Sequence, residues 1–319
     1  MRSADRRRLL SDLAEAVVGQ PGNIAIVGWT DFALEVRAWL QSTGLAARTV
    51  GIFDDDVDPA LDVRPITALG SAAASIIVVA EDAGKQRLLR RLAEVVVPGP
   101  KIIIGGFGHL EFANPSFDRL VNSAVVPSLA NGYPECLVHL YQCLGNAARL
   151  GLSGSVVEFG MFRGGTTMLL SRFVEAFGVT WPVIGFDTFD GFPEPRDVRD
   201  MYAHPDCIYR DEAAVRAMFV ERNVRVVAGD LVQTARQLAG VPIVLAFVDT
   251  DNYTSANAAL DSIQDGVQVG GAIVFDHFTA RNRFVYTLGE RMAAERLLDD
   301  PRYFNLHGTG VFMRQGWAA

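Results

Sequence analysis

Five short apolar runs, each with an acidic residue at or beside its C-terminal end, constrain this 319-residue chain more than any other feature. They are Ser155–Gly160, Val183–Phe189, Val224–Gly229, Ile243–Asp249 and Gly271–Phe278. Runs this short and this uniformly apolar fit parallel strands buried on both faces. Parallel neighbours need long crossovers, and helical spacing of apolar residues fills the gaps over Thr166–Phe177, Asp211–Asn223, Val232–Ala239, Ser255–Val267 and Arg281–Leu298. After the last helix, Tyr303–His307 and Val311–Arg314 flank a Gly-Thr-Gly turn and read as a closing strand pair.

A shorter series precedes this one. Strand-like runs at Asn23–Trp29, Arg48–Phe53, Ser75–Ala80 and Lys101–Gly105 alternate with helical spacing at Ala33–Leu45 and a basic helix at Gly84–Val96. Between Asn114 and Ala130 the rhythm breaks at Pro115 and Pro127, which reads as an interdomain connector, and Pro134–Leu150 then reads as a helix. The expected organisation is a small Rossmann-like α/β domain over 1–113, a connector and leading helix over 114–150, and a larger α/β domain over 151–319. Leu9, Leu10, Leu13, Ala16 and Val17 recur at helical spacing, so the basic N-terminus reads as a surface helix and not a signal peptide.

Charge and composition remove other classes. Lysine and arginine number 29 against 37 acidic residues, a net charge of −8 that would repel nucleic acid at long range. No stretch of about 18 apolar residues occurs, so no membrane span is expected. Cys136, Cys143 and Cys207 follow no metal or redox spacing, which suits a reducing cytoplasm.

The candidate chemistry sits at the five strand ends. Val156–Thr167 (VVEFGMFRGGTT) is a strand, a glycine-rich turn and a helix start. Such a turn lets a ligand approach the backbone, and the helix N-terminus favours negative charge. The carboxylate of S-adenosylmethionine would suit it, with the ligand's amino group paired to Glu158. Gly185–Pro193 (GFDTFDGFP) puts Asp187 where an acid can accept ribose hydroxyls, or simply cap a turn. Gly229-Asp230 follows the third strand, where a carboxylate can take an adenine amino group. Open α/β sheets bind ligands along this edge. Phe247–Tyr253 (FVDTDNY) and Val274–Phe278 (VFDHF) add Asp249, Asp251, Asp276 and His277. Three acids and a histidine suit either a hard divalent cation or a base with its orienting partner.

From about Val125 to Gln315 these motifs resemble the macrocin O-methyltransferase family, sugar-modifying class I methyltransferases of macrolide and related pathways. The matching stretches are VVEFGMFRGGTT, IGFDTFDGFP, VRVVAGD, VDTDNYTSANAALDSI, VGGAIVFDHF and GTGVFMRQ, in family order. The resemblance implies a seven-stranded class I methyltransferase sheet with its last strand antiparallel. It implies S-adenosylmethionine as donor, a sugar hydroxyl on a glycoside or nucleotide-linked sugar as acceptor, and a divalent cation, often magnesium. The donor is then expected against Glu158, Gly160, Phe162, Arg163, Gly164, Thr166, Asp187, Thr188, Gly229, Asp230 and Asp249. Asp249, Asp276 and His277 are the expected metal ligands, with Asp249 as base and His277 as the rival base. A homo-oligomer is expected. One position departs from the family: where it often has paired acids at the fifth strand end, Phe275 takes the first place. That departure favours the alternative, a binding protein that keeps the fold but has lost chemistry.

The front domain reads less specifically. Gly28-Trp29-Thr30-Asp31-Phe32-Ala33 matches only the ends of a dinucleotide fingerprint, with Thr30 in place of its second glycine, and Asp54, 26 residues after Gly28, fits a ribose-binding acid only loosely. IAIVGWTDFALEVRAWLQSTG followed by RTVGIFDDD resembles the nucleotide-sugar-binding domain ahead of some bacterial sugar acyltransferases; a ligand-free scaffold is the other reading.

Overall fold

The computed structural model describes residues 1–56, 60–130, 136–279 and 285–316. Two compact units divide the chain between Ala113 and Asn114. Among the described residues no helix is long and apolar enough to cross a membrane.

The first unit runs α1 (Ser3–Gly19), β1 (Asn23–Val27), α2 (Asp31–Ser42), β2 (Thr49–Phe53), β3 (Val63–Arg64), β4 (Ala74–Val79), α3 (Lys85–Val95) and β5 (Lys101–Ile104). Its sheet has the order β3-β2-β1-β4-β5, with every pair parallel. Side chains alternate across a strand, so β1 feeds two cores. Ile24 and Ile26 pack with Leu9, Leu13 and Val36 on one face, while Ala25 and Val27 pack with Ile66, Leu88 and Leu92 on the other. Strand β1 therefore carries no polar face, which is why it reads as a continuous apolar run.

The second unit runs α4 (Pro115–Asn122), α5 (Cys136–Arg149), β6 (Ser155–Phe159), α6 (Gly165–Ala176), β7 (Val183–Asp187), α7 (Glu212–Ala217), β8 (Val224–Ala228), α8 (Leu231–Thr234), β9 (Ile243–Val248), α9 (Tyr253–Ile263), β10 (Val267–Phe275), α10 (Leu288–Ala294), β11 (Tyr303–Asn305) and β12 (Val311–Arg314). Its sheet order is β11-β12-β10-β9-β6-β7-β8. Strand β12 is antiparallel to both its neighbours and every other pair is parallel, as expected. The chain winds one way from β6 to β8 and the other way from β9, so a crevice opens outside the carboxyl ends of β6 and β9.

Three expectations change. The stretch read as a connector contains α4: Asn114 Oδ1 accepts the Ser116 and Phe117 N–H groups at 3.0 Å each, and Pro115 opens the helix. A proline costs nothing at the first helical position, whose N–H has no partner within the helix. The helix expected to reach Val267 stops at Ile263, and Val267 begins β10 after a turn in which Gly266 lies too close to the Val241 carbonyl for a side chain. The helix expected over Asp211–Asn223 is only α7, and its remainder forms turns. The starts of the expected Pro134–Leu150 and Arg281–Leu298 helices lie outside the described residues.

Candidate active site

A cleft of about 380 Å³ runs along the carboxyl ends of β6, β7, β9 and β10. Gly160, Phe162, Asp187, Thr188, Asp249, Asp276 and His277 line it. A side pocket shares Gly160, Phe162 and Asp249 and adds Arg163, Gly165 and Thr166. Gly160, Asp187, Asp249, Asp276 and His277, from the ends of β6, β7, β9 and β10, thus meet in one place.

Backbone conformation explains the glycine-rich turn. Gly160 has φ 91°, and a Cβ there would lie 1.9 Å from the Asp249 carbonyl oxygen. Gly164, at φ 80°, precedes the first turn of α6. Between them Phe162 takes φ 49°, which costs a non-glycine residue energy unless the surroundings hold it. Asp187 does so. Its Oδ2 accepts the Phe162 N–H at 2.8 Å, and its Oδ1 accepts the N–H of Phe189, itself at φ 57°, at 2.7 Å. Each oxygen keeps a further lone pair for a ligand hydroxyl. Burial pushes the Asp187 carboxyl above its ordinary range against those bonds.

Four of the expected donor residues lie off the lining of both pockets. Glu158 is 1% exposed and accepts the Thr167 hydroxyl behind the turn, outside the cleft lining. Burial pushes it up to about 8, Thr167 opposing and Asp187 adding. Asp230 caps α8 through the Val232 N–H at 3.0 Å and pairs with the Arg196 guanidinium, so its carboxylate is engaged before any adenine arrives. Gly164 and Gly229 also lie off the lining. Arg163 stacks its guanidinium on Phe162 and Tyr209, 4.9 and 5.1 Å from the ring centroids, and Thr166 shares a 2.6 Å hydroxyl contact with Ser128.

The acidic end of the cleft converges on His277. Its Nε2 lies 2.9 Å from Asp251 Oδ1, 3.4 Å from Asp276 Oδ2 and 3.5 Å from Asp249 Oδ1. Burial favours the neutral imidazole, but the bonds to Asp249 and Asp251 outweigh it and push His277 up to about 12. Asp249 is raised well above the carboxylate range by burial and by the Asp276 charge. So many buried carboxylates need a cation, and in the bare cluster the imidazolium provides it. The set whose donor atoms all lie within 4.8 Å of one another is Asp249, Asp251 and His277. Asp276, the other expected ligand, lines the same cleft, stands beside His277 and bonds the buried Cys136 thiol, and Asp251 joins Asp249 and His277 in this set. Two carboxylates and an imidazole are a fitting donor set for a divalent cation.

Phe275 does not face this cluster. It is 2% exposed and packs edge-on to Phe312, centroids 5.7 Å apart, inside the main core.

Sequence reasoning missed one contributor. Glu290 on α10 is fully buried and accepts N–H groups from both strand-end turns. Its signal was an acid on an apolar helix face shared with Ala293, Ala294 and Leu297. The loop after β7 brings Tyr202, His204, Asp206 and Cys207 to the cleft. Asn252 pins that loop, accepting the Tyr202 N–H at 2.9 Å and donating to the Tyr202 carbonyl at 2.8 Å.

In the first unit the fingerprint positions are taken up internally. Asp54 accepts the Trp29 N–H at 2.9 Å, and the Thr30 hydroxyl donates to the Ala80 carbonyl at 2.7 Å while capping α2. A Cβ on Gly28 would meet Leu88 at 3.0 Å. Those contacts describe a self-packed turn.

Residues 129–315 match the model of the macrocin O-methyltransferase (TylF) family. A curated relative from Streptomyces olivaceus, 8-demethyl-8-(2,3-dimethoxy-alpha-L-rhamnosyl)-tetracenomycin-C 4'-O-methyltransferase, is 27% identical over 200 residues, covering 56% of this chain and 72% of the relative. Among solved structures, the O-methyltransferase NovP aligns at a TM-score of 0.48 and 21% identity over 56% of this chain and 79% of its own. The calicheamicin methyltransferase CalS11 aligns at 0.46 and 20% over 65% and 95%. The family match covers more than half of the chain and spans every strand of the second sheet, so this chain belongs to the macrocin O-methyltransferase family and is an S-adenosylmethionine-dependent O-methyltransferase.

Proposed function

We propose that the cleft transfers a methyl group from S-adenosylmethionine to the hydroxyl of a sugar, carried on a glycoside or a nucleotide. One observation carries this reading: Asp187 and the Gly160 turn share a single cleft with the Asp249, Asp251 and His277 cluster. The relative from Streptomyces olivaceus is named for methylating a rhamnosylated substrate, which supports a sugar as acceptor.

The Gly160–Thr166 turn and Asp187 hold the donor, which supplies a methyl group already activated on a sulfonium. The chain's task is then to align the acceptor oxygen and remove its proton. Asp249 lines both the donor pocket and the acidic end, so its carboxylate is placed to take that proton. His277 Nε2 lies 2.9 Å from Asp251 and 3.5 Å from Asp249, so the imidazole orients both carboxylates. Asp249, Asp251 and His277 would hold a divalent cation, magnesium among the candidates, which when bound lowers the pKa of a coordinated hydroxyl. Tyr202 and His204 wall the acceptor side.

The test is incubation with methyl-labelled S-adenosylmethionine and a panel of nucleotide sugars and glycosides, with and without a chelator. Label on a sugar oxygen supports the reading, and loss of transfer on chelation, restored by magnesium, supports the cation. No label on any sugar removes the acceptor assignment.

A further inference from the structure

Glu290 is 0% exposed, and its carboxylate joins two separate strand ends. Oε2 accepts the Thr250 N–H at 2.7 Å and the Asp251 N–H at 2.8 Å, both in the turn after β9. Oε1 accepts the His277 N–H at 3.1 Å, in the turn after β10. Asp251 has φ 61°, a conformation that a non-glycine residue keeps only when its surroundings fix it. That turn carries the Asp251 side chain to 2.9 Å from His277. The helix bearing Glu290 is itself seated closely: a Cβ on Gly289 would lie 2.2 Å from the Arg199 carbonyl oxygen and 2.9 Å from the Tyr253 nitrogen.

Two oxygens are what this geometry requires. A carboxylate accepts on both sides at once, whereas an amide offers one acceptor and turns an N–H donor toward the other. An apolar side chain would leave these three N–H groups without their acceptor, those of Thr250 and His277 in buried positions.

We propose that Glu290 is a positioning residue for methyl transfer, binding the Thr250, Asp251 and His277 peptides to one carboxylate and so fixing Asp251 and His277 beside Asp249. The inference rests on the reading of the cleft as a methyltransferase acceptor site. Glu290 lines neither the cleft nor the side pocket, so it acts through these residues and touches neither donor nor acceptor.

The test compares the full-length parent with Glu290→Gln and Glu290→Ala in three measurements. S-adenosylhomocysteine affinity, by calorimetry, should stay within about threefold of the parent, since Asp187 and the Gly160 turn are untouched. In crystals with S-adenosylhomocysteine, the Asp251–His277 contact should open and residue 251 should leave its left-handed conformation. The kcat for the sugar the parent methylates should fall by about 100-fold in Glu290→Ala, the scale of a 1 Å misplacement, with KM for the donor unchanged. It should fall less in Glu290→Gln, which keeps the Oε2-side bonds. An unmoved cluster, or a kcat within twofold of the parent in Glu290→Ala, overturns the proposal. So does a donor affinity that falls in step with kcat, which marks general structural loss. If Glu290→Ala does not fold, the glutamine variant decides by the same criteria. If the parent methylates no sugar, the functional reading fails separately, and the crystal comparison still tests the positioning role.

Discussion

A Cβ on Gly160 would stand 1.9 Å from the carbonyl oxygen of Asp249, so the glycine turn after β6 and the acidic end of β9 touch through bare backbone. This approach puts the proposed donor turn beside the proposed base. Replacing Gly160 by alanine must force the two strand ends apart, at a residue whose φ of 91° already excludes most side chains. The expected loss is roughly 2–4 kcal/mol of stability, typical of strain at a special backbone position. Chemical denaturation measures it; a variant as stable as the parent would show that the strand ends do not meet this way.

Asp187 carries two turns as well as a proposed ribose contact. Asp187→Ala frees the Phe162 and Phe189 N–H groups and should weaken S-adenosylmethionine binding by about 1–3 kcal/mol. Asp187→Asn retains one acceptor oxygen and should lose less. Calorimetry that finds unchanged affinity in Asp187→Ala removes the residue from the donor site.

Phe275 stands at the position where the family resemblance implies an acid, and its ring lies in the core against Phe312. Phe275→Asp would therefore bury a carboxylate without a partner and should cost roughly 3–5 kcal/mol. It should not strengthen manganese or magnesium binding. Thermal unfolding and a metal titration check both halves. A stable variant with tighter metal binding would place residue 275 in the cluster.

Asp300 gives the fold a defined acid sensitivity. The Arg302 guanidinium holds its carboxyl well below the usual range, against the effect of burial, and Gln264 adds a bond at 2.7 Å. The folded-state pKa is depressed, so its stabilisation is full above the unfolded value of about 4 and disappears as pH falls through the folded value. Asp300→Asn should lower Tm at neutral pH and flatten the fall in Tm below about pH 4. Parallel Tm curves for parent and variant would contradict this.

The strands were legible in the sequence because a parallel strand covered on both faces is a short apolar run whatever surrounds it. The reversed last strand was expected from element order, and β12 meets it. Local rules also pointed to the Gly160 turn, Asp187, Asp249 and His277, since each sits at a strand end, and all of them line one cleft. What escaped depended on distant partners. Asp230 pairs with Arg196, 34 positions away, and no local pattern announces that. Glu290 reads as an ordinary helix residue until α10 packs under two turns. Pro115 looked like a break because proline's cost vanishes only at a helix start.

The most direct test is a single-turnover measurement of label passing from methyl-labelled S-adenosylmethionine to the acceptor sugar, in the parent and in Asp249→Asn. The expected result is label on a sugar oxygen in the parent and a rate lower by about 10²–10⁴-fold in the variant, with S-adenosylhomocysteine affinity retained. Label absent from every sugar offered, or transferred at the parent rate by Asp249→Asn, would contradict a sugar O-methyltransferase that works through this residue.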